Sequence, residues 1–278
     1  MADFELPETK QLQLELAGPF LHVTFNRPQV RNAMSFAMVE ELIAVFDALE
    51  DTKAVRAVVL RGAGGNFCAG GDIKDMAGLR MQPAPEIPGG PDDPAAVANR
   101  KFGTMLSVIE TAPQAVVAVV EGAVMGGGFG LACVADVTLS KADAKFRLPE
   151  TSLGIPPAQI APFIVRRIGL TQARRLAVTG GRLDGHQAKA IGLVHEVCET
   201  DEALDTALAS TLADIRRCAP GAVAVTKDLV ISSLSENIEV LLDRGARDFA
   251  KAIRGPEGQE GTMAFVEKRT PAWARDDA

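Results

Sequence analysis

The sequence predicts an α/β fold in which a core of strands and helices is followed by a helical C-terminal region. In the first two thirds of the chain, short apolar runs alternate with glycine turns and helical spacing, which is the pattern of a sheet with crossover helices. From Asp201 onward the apolar spacing is helical. We therefore place an α/β core in residues 1–198 and a helical region in residues 199–278.

The first elements are a hairpin and a capped helix. Leu12–Leu16 and Leu21–Phe25 alternate apolar and polar residues with period two on either side of an Ala-Gly-Pro turn, which predicts a β-hairpin. Ser35 then stands where an N-cap belongs, ahead of an apolar stripe that predicts a helix to about Leu49.

The segment Met76–Pro94 has no usable periodicity and contains five prolines between Pro83 and Pro94. Such a segment is either a surface loop or a lid over a neighbouring site, and the sequence leaves both interpretations open. The helical pattern resumes at about Ala95–Thr111.

The rest of the chain predicts two short strands, Val137–Leu139 and Leu193–Cys198, and a series of helices. The predicted helices are 158–168, 171–178, 186–191, 203–217, 221–233, 238–254 and 259–268.

Two glycine clusters each follow an apolar strand. Gly64–Asp72 comes after the strand Ala54–Leu60, and Glu121–Asp136, which leads into a helical segment, comes after Ala115–Val120. Each cluster alone is most simply a tight connection, and neither has the pattern of a dinucleotide fingerprint or a P-loop. Two such turns side by side, however, can aim two backbone N–H groups at one oxygen, which is the arrangement of an oxyanion hole.

Composition excludes several classes of protein. With 47% hydrophobic residues in 278, the chain can bury a substantial core. A net charge of -7, no tyrosine and one tryptophan argue against nucleic acid as a partner. No apolar run approaches a membrane span, and the N-terminus lacks the pattern of a signal peptide, so we expect a cytoplasmic protein that does not insert into a membrane.

The cysteines and histidines do not form a metal-site pattern. The cysteines are widely separated, form no C-x-x-C pair and are not spaced with the histidines as metal ligands are. We expect buried, reduced thiols, because free cysteine packs as a small apolar residue. No metal site is predicted.

Five motifs, taken together and in order, resemble those of the crotonase (enoyl-CoA hydratase/isomerase) superfamily over nearly the whole chain. This resemblance implies a spiral of repeated ββα units, an acyl-CoA thioester as ligand, and trimers that often pair into hexamers, with residues 199–278 as the trimerisation region. The motifs are Asn26-Arg27-Pro28 with Asn32-Ala33-Met34, then Phe67–Lys74, Ala123–Asp136, Phe146–Pro156 and Phe265–Arg269.

The resemblance also assigns catalytic roles. The backbone N–H groups of Gly71 and Gly127 become the oxyanion donors, in the two turns that the glycine pattern indicates. Each such donor stabilises the transition state by about 2.7–4 kcal/mol. Glu150 matches the glutamate that moves a proton to or from the substrate. Without the resemblance, Glu150 would be read as an ordinary exposed acid.

Coenzyme A contacts are implied in two parts of the chain. Phe265 and Lys268 match positions that reach the coenzyme A of an adjacent subunit, although by itself Lys268 is typical of a solvated charge. The thioester is the substrate, so no separate cofactor is implied. The segment that contacts adenine and pantetheine is matched by Ala69, Gly71, Asp72 and Ile73.

Gly130 departs from the pattern of typical enoyl-CoA hydratases, which carry a second glutamate there. Together, Gly126–Asp136, which contains this glycine, and Leu153–Gly169 resemble the glycine-bearing glutaconyl-CoA hydratases of bacterial leucine and acyclic-terpene breakdown, such as isohexenylglutaconyl-CoA hydratase. We therefore expect a hydratase for a 3-branched, glutaconyl-type enoyl-CoA, with Gly130 leaving space for the branch. A Δ3,Δ2-enoyl-CoA isomerase and a non-catalytic acyl-CoA-binding protein are the alternatives. Candidate partners for a substrate carboxylate are Arg27, Lys74, Arg80, Arg100 and Arg147.

Overall fold

The computed structural model describes residues 4–82 and 86–275 and shows an α/β architecture. The largest sheet has six strands in the order β1-β2-β3-β4-β6-β9. Strands β1 and β2 form the predicted antiparallel hairpin, and the other neighbouring strands are parallel. These strands are β1 (Leu12–Ala17), β2 (Phe20–Phe25), β3 (Ala57–Gly62), β4 (Ala115–Val120), β6 (Val137–Lys141) and β9 (Glu196–Cys198).

A second sheet of three short strands has the order β5-β7-β8. Its strands are β5 (Ala123–Met125), β7 (Lys145–Arg147) and β8 (Arg182–Leu183). The helices are α1 (Phe36–Leu49), α2 (Ile73–Met81), α3 (Pro94–Thr111), α4 (Gly127–Val134), α5 (Ala161–Thr179), α6 (Gly185–Ala190), α7 (Asp201–Arg217), α8 (Pro220–Ser232), α9 (Ile238–Arg254) and α10 (Pro256–Val266).

The core lies on both faces of the large sheet. Alternate residues of β3 belong to different apolar clusters: Val58 and Leu60 pack with α1, α3 and α4, whereas Ala57 and Val59 pack with α7. Strand β4 is buried at every position, which is typical of a central parallel strand covered on both sides. The apolar run at β4 therefore marks the middle of the sheet, where the second glycine cluster begins.

Local signals placed most elements correctly. Ser35 caps α1, because its hydroxyl accepts a hydrogen bond from the Met38 N–H at 3.1 Å. Helix α3 and strand β4 lie close to where the pattern predicted them. The two helices predicted at 158–168 and 171–178 are instead one kinked element, α5, bent at Gly169 with φ 73°.

The prediction of an irregular loop or lid over Met76–Pro94 was wrong for residues 76–81. Helix α2 runs to Met81, capped by the Asp72 carboxylate, which accepts a hydrogen bond from the Lys74 N–H. Its residues show almost no amphipathic pattern, so periodicity could not reveal it. Residues 83–85 of the proline-rich part lie outside the described residues.

Beyond Cys198 the described chain contains helices and no strand. Helix α7 packs on the large sheet, so the first of these helices belongs to the core packing. The amphipathic helix α9 buries only Leu241 and leaves a large apolar face exposed, including Phe249. The boundary at 198/199 and a role in trimerisation stay predictions.

No helix in residues 4–82 and 86–275 combines the length and apolar character that crossing a membrane requires. The cytoplasmic location stays a prediction.

Candidate active site

The two glycine clusters lie side by side, as predicted. Cys68 pairs with β5: its N–H donates to the Ala123 carbonyl at 2.9 Å, and its carbonyl accepts from the Met125 N–H at 2.9 Å. A Cβ placed on Gly126 would stand 3.5 Å from the Cα of Gly70. The backbones of the two turns are therefore in close contact.

Met34 holds the first turn in place. Its N–H donates to the Gly70 carbonyl at 2.7 Å, and its carbonyl accepts from the Asp72 N–H at 2.8 Å. Asn32 anchors the same loop, because its side-chain amide donates to the carbonyls of Ala63 and Asn66 at 2.8 and 2.6 Å. The motif around Asn32 thus positions the turn that carries Gly71.

Gly71 and Gly127 each present a backbone N–H without an acceptor in the described chain. Gly127 begins α4, where the first N–H groups of a helix have no intrahelical acceptor. The helix dipole adds positive potential at that end. Both groups are therefore available to donate to a negatively charged oxygen, as an oxyanion hole requires.

Glu150 lies directly beside the second turn. Its Oε1 would be only 2.7 Å from a Cβ on Gly126, the residue before Gly127. Gly126 adopts φ 48° and ψ -111°, a conformation that L side chains rarely enter. The glycine therefore allows both the tight entry into α4 and the close approach of the carboxyl group.

The Glu150 side chain is half-buried. Its Oε2 is buried and has no hydrogen-bond partner in the described residues. Burial raises the pKa of Glu150, and the hydrogen bond to its own backbone opposes this shift only in part. A carboxyl group with a raised pKa exchanges a proton more readily near neutral pH than an ordinary glutamate does.

Apolar side chains lie beside the second glycine turn. A Cβ on Gly127 would stand 3.1 Å from the Phe102 ring, and one on Gly130 would stand 2.6 Å from Ile160 Cγ2 and 3.4 Å from Leu106 Cδ1. The expectation that Gly130 leaves space for a substrate branch was wrong, because Ile160 and Leu106 already fill that volume. An apolar wall thus occupies the place of the second glutamate.

Arg27 and Asp72 form a largely buried ion pair with a distance of 2.7 Å between Nη2 and Oδ2. Burial raises the pKa of Asp72, but the hydrogen bonds from Arg27 and from the Lys74 N–H outweigh it and hold the pKa below its usual value. Arg27 also donates to the Ala33 carbonyl. In this chain its guanidinium therefore braces the first turn, and direct contact with substrate stays a prediction.

The residues assigned to coenzyme A lie in two separate regions. Ala69, Gly71, Asp72 and Ile73 are consecutive or nearly so at the first turn, and Ile73 is 73% exposed there. Phe265, which is 85% exposed, and Lys268 lie at the end of α10, a helix that packs against α9. No hydrogen bond or ion pair in the described part of a single chain joins these two residues to the first turn.

Cys68 is not available as a nucleophile, since burial raises the pKa of its thiol to about 11. The expectation of buried thiols holds for Cys68, Cys133 and Cys198 but was wrong for Cys218, which is exposed after the end of α7.

Met34 belongs to the first motif, but its role as a brace was not predicted. The motifs also gave no role to the three residues of the apolar wall, Phe102, Leu106 and Ile160. Their side chains converge through packing between α3, α4 and the segment before α5. The only sequence signal was the apolar stripe of α3, which predicts burial without naming a neighbour.

The chain matches the family "Enoyl-CoA hydratase/isomerase" over residues 17–276. Among solved structures it is similar to AtuE of Pseudomonas aeruginosa, with 57% identity, a TM-score of 0.91, and coverage of 96% of this chain and 100% of that one. It is also similar to an enoyl-CoA hydratase/isomerase of Marinobacter aquaeolei, with 55% identity, a TM-score of 0.92, and coverage of 95% and 99%. A mevalonyl-coenzyme A hydratase of Aspergillus fumigatus, sidH, is 31% identical, with coverage of 91% of this chain and 90% of that protein.

Fold and site together define an enzyme that acts on the acyl group of a coenzyme A thioester. The chain belongs to the enoyl-CoA hydratase/isomerase family and has the α/β crotonase fold.

Proposed function

We propose that this enzyme is a hydratase that adds water to a 3-branched, glutaconyl-type enoyl-CoA, such as 3-methylglutaconyl-CoA or isohexenylglutaconyl-CoA. The observation that carries the catalytic part is the position of Glu150. Its carboxyl group lies against Gly126, immediately before the unpaired N–H of Gly127, and it has one buried oxygen without a partner.

A single carboxyl group is sufficient for the whole addition. The Glu150 carboxylate takes a proton from water as the water oxygen forms a bond to C3, and the C2–C3 π electrons move into the thioester to give an enolate. The N–H groups of Gly71 and Gly127 bind the enolate oxygen. Glu150 then returns its proton to C2, so that one water molecule is added and the carboxylate is regenerated.

Three observations support a branched substrate. Phe102, Leu106 and Ile160 present an apolar surface beside the second glycine turn. An alkyl branch packs against the outside of such a surface better than a carboxylate does, without entering the volume at Gly130 that Ile160 and Leu106 fill. Glycine at position 130 resembles the glutaconyl-type hydratases. The mevalonyl group named for the Aspergillus fumigatus relative also carries a branch at C3.

A Δ3,Δ2-enoyl-CoA isomerase is the second candidate, and the apolar wall is the observation that favours it. An isomerase needs one base to remove a proton from C2 and return it at C4, and it has no water to activate. The same Glu150 and the same oxyanion donors satisfy that requirement. The unpartnered, buried carboxyl oxygen disfavours the third alternative, a protein that only binds acyl-CoA, because burial without a partner costs stability.

The test follows the ultraviolet absorbance of the enoyl thioester with the purified enzyme. Crotonyl-CoA is compared with 3-methylglutaconyl-CoA and its isohexenyl homologue. We expect the absorbance to fall with the branched diacids only. Absorbance that stays constant with all three, together with new conjugation from a 3-enoyl-CoA, would identify an isomerase instead.

We further propose that the enzyme needs no metal or redox cofactor and works as a homotrimer or homohexamer. Every step above uses only backbone N–H groups and one carboxyl group. The exposed apolar face of α9 supports self-association, because large exposed apolar patches mark interfaces. In such an assembly Phe265 and Lys268 would reach the coenzyme A bound to a neighbouring subunit. Light scattering tests this point, and a mass of one chain would contradict it.

A further inference from the structure

We propose that Arg100, positioned by Gln159 and Gly103, binds the distal carboxylate of the substrate. This inference rests on the proposed function, since only a glutaconyl-type substrate carries that carboxylate. It selects one of the five basic residues that the sequence left open.

The guanidinium of Arg100 is directed along α3 toward the apolar wall. Its Nη1 donates to the Thr104 hydroxyl at 2.9 Å and lies 3.4 Å from the point where a Cβ on Gly103 would stand. Gly103 and Leu106 are three residues apart, so they share a face of the helix. Leu106 flanks Gly130, which places the charged group about one helical turn from the wall beside the reacting carbons.

Gln159 is the second polar side chain beside Gly103. Its Oε1 lies 2.0 Å from the same Cβ position on Gly103, and its Nε2 donates to the Asn99 side chain at 3.1 Å. Any side chain at position 103 would displace Gln159 and crowd Arg100. Because Gln159 precedes Ile160 in the chain, the polar groups of Arg100 and Gln159 lie next to the apolar wall.

The charge of Arg100 is uncompensated within the described chain. No carboxylate forms an ion pair with it in residues 4–82 and 86–275, and its hydrogen-bond partner Thr104 is neutral. The other four basic residues fit less well. Arg27 is paired with Asp72, and Arg147 contacts the Gly180 carbonyl and the Ser152 hydroxyl. Lys74 and Arg80 lie on α2, whereas the side chains nearest to Gly127 and Gly130 come from Met34, Phe102, Leu106 and Ile160, none of which is on α2.

A carboxylate at C5 of a glutaconyl group is two bonds beyond C3, so it must lie near whatever surrounds the branch carbon. Guanidinium binds carboxylate through two parallel N–H···O bonds, and the Gln159 amide adds a further polar group at the same place. The arrangement therefore recognises a substrate that is apolar at the branch and anionic at the end of one arm.

The test measures binding without turnover. The saturated thioester 3-methylglutaryl-CoA, which cannot be hydrated, and its 5-carboxamide are titrated by calorimetry into the wild type, Arg100→Gln, Arg100→Lys and Lys101→Gln. Lys101 is the matched control, because it is the next residue of α3, loses the same charge and pairs with Glu40.

We expect Arg100→Gln to weaken binding of the diacid thioester by about 10- to 100-fold, as loss of a charged hydrogen-bonding group predicts. Binding of the carboxamide should stay unchanged, Lys101→Gln should bind both ligands as the wild type does, and Arg100→Lys should recover part of the loss. Equal effects of Arg100→Gln on both ligands, or no effect on either, would overturn the assignment. Because these ligands do not react, the result is independent of whether the enzyme hydrates or isomerises.

Discussion

The packing of Ile160 against Gly130 makes the sharpest prediction about this site. A Cβ added by Gly130→Ala would stand 2.6 Å from Ile160 Cγ2, about 0.9 Å short of an ordinary carbon contact near 3.5 Å. Overpacking of this kind costs about 1–3 kcal/mol. Replacing glycine by alanine inside a helix returns about 0.8–1.0 kcal/mol. The net change in the free energy of unfolding is therefore a loss of up to about 2 kcal/mol.

A double-mutant cycle separates the cost of overpacking from the gain in helix propensity. Ile160→Ala removes Cγ2, so in that background Gly130→Ala should gain helix propensity without a clash and become stabilising by about 1 kcal/mol. The expected coupling free energy between the two positions is about 1–3 kcal/mol. Ile160→Val keeps a methyl group at the same place and should not relieve the clash.

Urea unfolding at one fixed protein concentration measures the cycle, since self-association makes apparent stability concentration-dependent. The contradicting outcome is that Gly130→Ala changes the free energy of unfolding by the same amount, within about 0.5 kcal/mol, in the wild-type and Ile160→Ala backgrounds. That outcome would mean that Ile160 does not fill the volume beside Gly130, and the space for a second carboxylate would have to be reconsidered.

Three further predictions concern the catalytic turns. Glu150→Gln should lower kcat by about 10²–10⁴-fold while leaving the calorimetric affinity for a saturated acyl-CoA within a few-fold, and unchanged turnover in the variant would remove Glu150 from the mechanism. Because burial raises the pKa of Glu150, the wild-type rate should fall on acidification at a higher pH than an ordinary glutamate would give. Gly126→Ala should cost about 1–3 kcal/mol through its positive φ and lower kcat by displacing the carboxyl group, so a thermal shift with undiminished kcat would contradict this geometry. Asp72→Ala should lower the free energy of unfolding by about 1.5–3 kcal/mol at neutral pH, because it breaks the pair with Arg27. Since the folded-state pKa of Asp72 is lowered, this loss of stability should be present above the ordinary aspartate pKa and disappear as pH falls through the folded-state pKa. A loss that does not depend on pH would argue against the ion pair.

Local sequence signals determined most of the framework of this protein. Apolar alternation predicted the β1–β2 hairpin, a fully apolar run predicted the central strand β4, and a serine ahead of an apolar stripe predicted the start of α1. These features are set by neighbours within one or two turns of the chain, so their periods and caps are visible in the sequence. The positions of the two glycine turns were also predicted, because each follows a strand that had to be buried.

The contents of the site were decided by tertiary structure. Glycine at position 130 suggested open space, yet Ile160, thirty residues later in the chain, fills it. The closeness of Glu150 to Gly126 arises because β5 and β7 pair and bring their following residues together, as in the hydrogen bond from the Gly126 N–H to the Arg147 carbonyl at 3.0 Å. Strands of three residues carry almost no periodic signal, so this pairing could not be predicted from pattern.

The sequence by itself therefore determined the α/β class, the central strand, the positions of the two glycine turns and the absence of a second glutamate at position 130. Only the tertiary structure decided what stands in place of that glutamate, how Met34 braces the first turn, and which basic residue lies near the wall. The physical reason is the distance along the chain over which each kind of interaction acts. Propensity, capping and alternation act between residues close in the chain, whereas the site is made by side chains that meet only after the sheets and helices have packed.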